Sequence, residues 1–423
     1  MPNLKLQYRY KDLYEDLLGL DTNKKYNYFC DQPLSDGETY AFPIGTYGYI
    51  TDYHRPLTDD DFIWFKFKKN ETTSTLFLGD QGTLKTCLAK RFIFYHHKAG
   101  YKCVSLESKS TDMLTASLRA SDWVKTFLHP DEIPEGMPVY SVLPSFVLEK
   151  TPSHIKGLYH HHTEDIRKYD KMRLWITLNI GGTGAIWLQQ NHKKFKKLID
   201  VYKKLSEDSR KTAGGMRKLN YHAVQSLFTK LGMIFEDKYF DDILEPVAIK
   251  KILDKNKVLN YSFLSDNSSY LSGTITTLLN SLWGIQENEP RGLGEMPTPL
   301  LIHCDDVRPY ASPDLDENMN ACVNTLKDCL ILWRSLGFNM IFSIQNIREI
   351  NRTIAEQCKN IFISSITNVN AMRDFVKDTN ILTEIENLEY EPNEHRIQYL
   401  WLKPDKKQCV KFYPLLPQVK HFA

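Results

Sequence analysis

Apolar and polar positions along this chain switch repeatedly between a strand period and a helix period. TLFLG (75–79) is a short apolar run, a helix-period pattern extends from Lys85 to Lys98, Gly100 stops it, and KCVSLE (102–107) is a second apolar run. Strand, turn, helix and strand within about 35 residues predict a βαβ unit with parallel strands and a right-handed crossover. The alternation returns after residue 255, with strand VLNYSFL (258–264), the serine-capped helix SSYLSGTITTLLNSLWGI and strand PLLIHCDD (299–306). Next come helix NACVNTLKDCLILWRSLG ending at Gly337, strand FNMIFSIQN (338–346), a helix reaching Lys359, and strand NIFISSI. Residues 1–70 are rich in Tyr, Asp and Gly; they hold YAFPIGTYGYITDY (40–53) and the alternating FIWFKFKK (62–69), which predict a small β-containing N-terminal region. Residues 116–254 become charged and helix-rich (KKFKKLIDVYKKLSEDSRK, YHAVQSLFTKLGMIF, DDILEPVAIKKILDK) and predict a helical insertion. The expected class is α/β with a parallel central sheet.

Composition narrows the functions open to such a fold. The 423 residues allow two or three domains, at roughly 150 residues each. With 54 Lys+Arg against 52 Asp+Glu, 42% hydrophobic and 25% charged residues, neither disorder nor a polycationic coat protein fits. Nucleic-acid binding stays open, since a local basic stripe is enough. The opening MPNLKLQYRYKDLYEDLL is broken by charges, unlike a secretory leader. No run approaches the roughly 18 apolar residues of a membrane span. Eight cysteines without a C-x-x-C read as reduced, buried thiols of a cytoplasmic chain. That cytoplasm is the host's if the gene is viral or plasmid-borne.

The chemistry concentrates at strand ends. Gly79-Asp80-Gln81-Gly82-Thr83-Leu84-Lys85-Thr86 has the spacing of a phosphate-binding loop, with Leu84 where the second glycine belongs. In such a loop, backbone N–H groups and a helix N-terminus cradle phosphate oxygens, the lysine neutralises them, and the hydroxyl of Thr86 ligates Mg²⁺. Leucine carries a Cβ, so Leu84 is expected at negative φ, with its side chain turned away from the nucleotide against a neighbouring element. The apolar run Leu300–Cys304 ends in Asp305 and Asp306, a Walker B arrangement. There Asp305 would hold Mg²⁺ and Asp306 would orient the attacking water. Gln345 ends an adjacent strand and points to the crevice where α/β sheets bind ligands, as a sensor of γ-phosphate or water.

This succession resembles the HerA/FtsK superfamily of ring-forming DNA-pumping ATPases, HerA-like members most of all, over roughly residues 70–115 and 255–375. Gly79, Gly82, Lys85 and Thr86 match the family's loop; CVSLESKS is similar to its second strand, placing Glu107 and Lys109 at an acid and a lysine position. LLIHCDDVRPY resembles its apolar-Asp-Glu-Ala strand end, with Asp306 in place of Glu. Arg334-Ser335-Leu336-Gly337 is similar to its Gly-Arg-Lys-x-Gly segment, and SIQNIREINRTIAEQCKNIFISSITNVNAMRDFV to the stretch that follows. An arginine position of the family is Ser365 here, which leaves Arg334 as the better trans-acting charge and Arg348, Arg352 and Arg373 as weaker ones.

The resemblance implies a RecA-like P-loop NTPase core formed by 71–115 and 255–423. It implies an ATPase using ATP and Mg²⁺, with Asp306, Glu107, Gln345 and Arg334 as catalytic residues. It also implies a homo-oligomeric ring, hexameric, that moves double-stranded DNA with a nuclease or element-encoded partner, in resection, conjugation or genome packaging. Leu84, Asp306 and Ser365 keep a second reading open, a nucleotide-binding scaffold subunit without turnover. Adjacent His160, His161 and His162 cannot all face one ion, since only His160 and His162 on a strand, or His161 and Asp165 on a helix, share a face, and they read as a solvated loop. The basic run Asn191–Lys197, with Lys203 and Lys204, reads as a solvated helix face or a phosphate-backbone contact. Gly181-Gly182-Thr183-Gly184 lacks a following lysine and reads as a hairpin or pore loop.

Overall fold

A computed structural model describes residues 39–143 and 246–421. Residues 70, 111, 265, 267, 293, 316–319, 367, 395 and 405–407 are excepted, while 27–28, 159–160, 194 and 203–204 are also described. In chain order the elements that matter are β1 (Thr39–Thr46), β2 (Phe62–Lys68), β3 (Ser74–Leu78), α1 (Lys85–Lys98), β4 (Lys102–Glu107) and β5 (Val139–Val142). They continue with α2 (Pro246–Asp254), β6 (Val258–Ser262), α3 (Ser268–Glu287), β7 (Leu300–Asp305), α4 (Asn320–Ile331), β8 (Phe338–Ile344), β9 (Asn360–Ile363), β10 (Tyr399–Lys403) and β11 (Gln408–Pro414).

One sheet joins them in the order β1–β11–β10–β9–β3–β8–β7–β4–β6–β5, with β2 paired to β1. From β9 to β5 every pairing is parallel. The side running through β10, β11, β1 and β2 is antiparallel. Parallel strands must be covered on both faces, and the period of two sorts their side chains accordingly. Leu76, Leu78, Ile302, Cys304, Met340 and Phe342 share one core with α2, α3 and α4. Phe77, Leu301, Ile341 and Phe362 share the other with α1. The antiparallel side adds aromatics to the second core: Phe42 stacks on Tyr95 at 4.6 Å, Phe65 meets Phe92 at 4.6 Å, and Trp401 stacks on Phe362 at 5.3 Å.

Helix α1 is also held by buried polar bonds. Arg91, fully buried, donates to Pro43 O at 2.6 Å and to Leu416 O at 2.9 Å, and pairs with Glu132. Tyr95 and Gln418 also donate to Glu132. A buried charge needs this degree of pairing to be tolerated. The network ties α1 to both β1 and the segment after β11.

Two expectations change. The helix reaching Lys359 is broken into a 3-10 turn, Ile347–Glu349, and a short helix, Arg352–Glu356. The Asn346 and Asn351 side chains accept from Arg348 N and Thr353 N, and such local bonds compete with a continuous helix. The stretch expected as a helical insertion, 116–254, contains β5, which pairs with β6 in the central sheet. Residues 144–245 fall almost entirely outside the described residues. So do His161, His162, the glycines of 181–184 and the basic run apart from Lys194, Lys203 and Lys204.

Candidate nucleotide site

The strand order decides what meets at the site. β8 lies between β3 and β7, and β4 lies beyond β7. Register levels their C-terminal ends: Leu78 pairs with Ile344, Ser343 with Asp305, and Asp305 with Glu107. The loop Gly79–Thr86, Gln345, Asp305, Asp306 and Glu107 therefore stand along one edge of the sheet.

The loop is closed tightly on itself. Gly79 N donates to Ile344 O and Asp80 N to Ser365 O at 2.9 Å. A Cβ on Gly79 would lie 2.7 Å from Thr83 Oγ1, so no larger residue fits there. Gly82 has φ +81, the left-handed region that glycine enters without cost. Thr83 Oγ1 donates to Asp80 O at 2.7 Å, and Tyr399 Oη on β10 donates to Thr83 O at 2.5 Å. Exposed Tyr390 also donates to Gln81 O at 3.4 Å.

Leu84 corrects the expectation of negative φ. It sits at φ 62, ψ 18, the conformation a glycine there would adopt, and serves as N-cap of α1. Its side chain does turn onto a neighbouring element, packing with Phe127 against Cys87, Ala120, Val124, Leu128 and Leu416. A left-handed L-residue costs roughly 1–2 kcal/mol; that packing offsets it. The first turn of α1 contains no acidic residue of its own.

Lys85 Nζ donates to Gly79 O at 2.6 Å and Asp80 O at 2.7 Å, holding the loop from within. Burial lowers its pKa to about 8, against the pull of Asp305, Asp80, Glu349 and Asp306. Asp305 is pushed up to about 6 by burial, then by the charges of Asp112 and Asp306. Asp306 adopts φ 46, and its carboxylate pairs with Lys109 at 3.2 Å. Glu107 is fully buried, and burial raises it to about 7. Met113 N donates to its Oε1 at 2.9 Å. Gln345 is exposed, with its backbone N–H on Glu349 Oε2 at 3.0 Å.

Arg334 stands apart. It lies beyond the N-terminal end of β8, a strand of roughly 20 Å, and donates to Gln357 Oε1 at 3.1 Å. It stands at the end of β8 opposite its own chain's loop. Arg348 and Arg373 are exposed, and Arg352 pairs with Glu356.

Sequence reasoning missed Tyr399, Ser110, Asp112 and Glu349. Ser110 and Asp112 directly follow β4 and could have been found from that position. Tyr399 lies more than 300 residues from its partner Thr83 and carries no local signal.

This is a RecA-like P-loop α/β fold, with the loop Gly79–Thr86 and the acids Asp305 and Asp306 along one edge of its sheet, and solved structures share the fold. VirB4 of Thermoanaerobacter pseudethanolicus overlays with TM-score 0.52 at 12% identity, covering 90% of this chain and 98% of that one. The bacterial conjugative coupling protein TrwB overlays with TM-score 0.53 at 12% identity, covering 83% and 86%. TrwB bound to a non-hydrolysable ATP analogue gives TM-score 0.55 at 12% identity, covering 84% and 88%. No protein-family model and no curated protein matches the chain by sequence. Among the described residues, no helix is long and apolar enough to cross a membrane.

Proposed function

We propose that this chain is an ATP-dependent motor that moves double-stranded DNA as a homo-oligomeric ring, a hexamer. The observation that supports it most is the level alignment of Gly79–Thr86, Gln345, Asp305–Asp306 and Glu107 along one sheet edge. The loop and the N-terminus of α1 would take the phosphates of ATP, with Lys85 leaving its loop carbonyls to neutralise them. Thr86 and Asp305 would hold Mg²⁺. The site fits such an ion: Asp112 and Asp306 crowd Asp305 with negative charge that a divalent cation relieves. Two protein groups suffice, because Mg²⁺ keeps waters and phosphate oxygens as its other ligands. When bound, Mg²⁺ supplies neutralisation of the phosphate charge.

Asp306 would orient the attacking water, with Glu107 behind it, and Gln345 would sense the γ-phosphate. Arg334 of a neighbouring subunit would complete the site, since in its own chain it stands at the opposite end of β8. The N-terminal region 1–70, the core 71–115 and 255–423 and the insertion 116–254 would be the functional divisions. Resection, conjugation or genome packaging in the cytoplasm, with a nuclease or element-encoded partner, are the settings such a motor serves.

A second reading, a nucleotide-binding scaffold subunit, draws on Asp306, whose carboxylate is engaged by Lys109. The test is nucleotide and duplex binding by the purified chain. Wild type should bind ATP, and Lys85→Ala should lose that binding while keeping its fold. Duplex binding should be indifferent to sequence and weaken steeply with salt. Normal ATP affinity in Lys85→Ala rejects the loop assignment, and salt-insensitive or sequence-selective DNA binding rejects the translocase.

A further inference from the structure

A line of polar contacts runs sideways through the sheet from Asp305 to β5, which is itself flanked by the strand Tyr159–His160. Ser110 Oγ stands between the two carboxylates, 3.0 Å from Glu107 Oε1 and 3.4 Å from Asp305 Oδ2, and its one proton serves one of them at a time. Ser262 Oγ donates to Glu107 Oε2 at 2.8 Å. Asn260 Nδ2 donates to Ser262 Oγ at 3.2 Å and to Ser141 Oγ at 3.4 Å. The members stand on consecutive strands β7, β4, β6 and β5, in register at Asp305–Glu107, Glu107–Ser262 and Asn260–Ser141. Glu107 and Asn260 are 0% exposed, Ser141 1% and Ser262 2%.

The chemistry of the groups fixes the direction. A hydroxyl has one proton. Ser262 gives its proton to the carboxylate, so it must accept from Asn260. The amide is then committed as a donor, and Asn260 Oδ1 is left buried without a partner among the described residues. A buried acceptor left unmatched is unfavourable. The fold tolerates it while aiming donors at Glu107, and packing alone gives no reason for a polar ladder at this depth.

We propose that Ser262 and Asn260 are positioning residues for the cation at Asp305. Asn260 orients Ser262, Ser262 fixes Glu107, and Glu107 holds Ser110 beside the Asp305 carboxylate. The proposal rests on the nucleotide reading above.

Its test uses the full chain saturated with ADP, and Mn²⁺ as the probe, with free Mn²⁺ followed by electron paramagnetic resonance. The relevant site is the one lost in Asp305→Asn. Ser262→Ala should weaken Mn²⁺ binding at least fivefold, with ADP affinity in EDTA within twofold of wild type. Ser262→Thr, which keeps the hydroxyl, should restore Mn²⁺ affinity, and Ser141→Ala, at the far end, should stay within twofold. Thermal unfolding confirms that each variant is folded. Should Ser262→Ala not fold, Ser262→Cys, a weaker donor of similar size, takes the same measurement and expectation. Wild-type Mn²⁺ affinity in the hydroxyl-deficient variant, or no restoration by threonine, overturns the positioning role while leaving the nucleotide site standing. Absence of ADP binding to wild type in EDTA overturns the nucleotide reading and this proposal with it.

Discussion

At Leu84 two preferences of the chain oppose each other. The loop needs a left-handed residue before α1, and an L-residue resists it; the side chain compensates by packing on Val124, Leu128 and Leu416. Leu84→Gly should therefore change stability by no more than about 1 kcal/mol. Relief of roughly 1–2 kcal/mol of backbone strain cancels lost burial and added chain entropy of similar size. Denaturant unfolding checks this, and a loss above about 2 kcal/mol would contradict the left-handed geometry. The motif and its strand-to-helix context were legible in the sequence. The sign of φ at Leu84 was not, because it is set by closure of the loop against segments 40 and 330 residues downstream.

Asp305 gives a pH prediction. Its folded pKa, about 6, stands above the ordinary aspartate value of 3.8. Between those values the native state holds the proton and the unfolded state does not, so this group's destabilisation is complete above pH 6 and fades as pH falls. Asp305→Asn should raise the unfolding midpoint of the nucleotide-free protein by about 2–5 °C at pH 7.5 and hardly at pH 4. An equal effect at both pH values would show that the charge is not the cause.

Elements were easier to read than their neighbours in space. Strands β3, β4, β6, β7 and β8 and helices α1 and α3 follow from apolar periodicity and from stops such as Gly100 and Gly337. Their order in the sheet does not, since a period of two says nothing about which strand lies alongside. That β8 separates β3 from β7, and that β5 joins β6, emerged only from the pairing. The break after Glu349 depends on two asparagines whose caps outcompete a helix that the apolar spacing favoured. Tyr399 of β10 reaches the loop by the same long-range assembly. Tyr399→Phe removes one buried hydrogen bond to Thr83 O. It should cost about 1 kcal/mol of stability and lower nucleotide affinity a few-fold, measured by calorimetry on the folded variant. Unchanged affinity would mean that the loop does not rely on β10 for its shape.

At the scale of the whole molecule, the proposed motor needs a second subunit. Arg334 lies at the end of β8 opposite Gln345, so any role at a γ-phosphate must be played in a neighbour's site. Arg334→Ala should lower hydrolysis in assembled rings, and mixing it with Lys85→Ala subunits should restore part of it. Full assembly without restoration removes Arg334 from the mechanism. Turnover coupled to DNA is read out by phosphate release from the purified chain with and without duplex DNA, beside Asp306→Asn. We predict hydrolysis by wild type, stimulation by duplex, and near-complete loss in Asp306→Asn with ATP binding retained. ATP binding without phosphate release, with duplex making no difference, would contradict the motor and leave the scaffold reading.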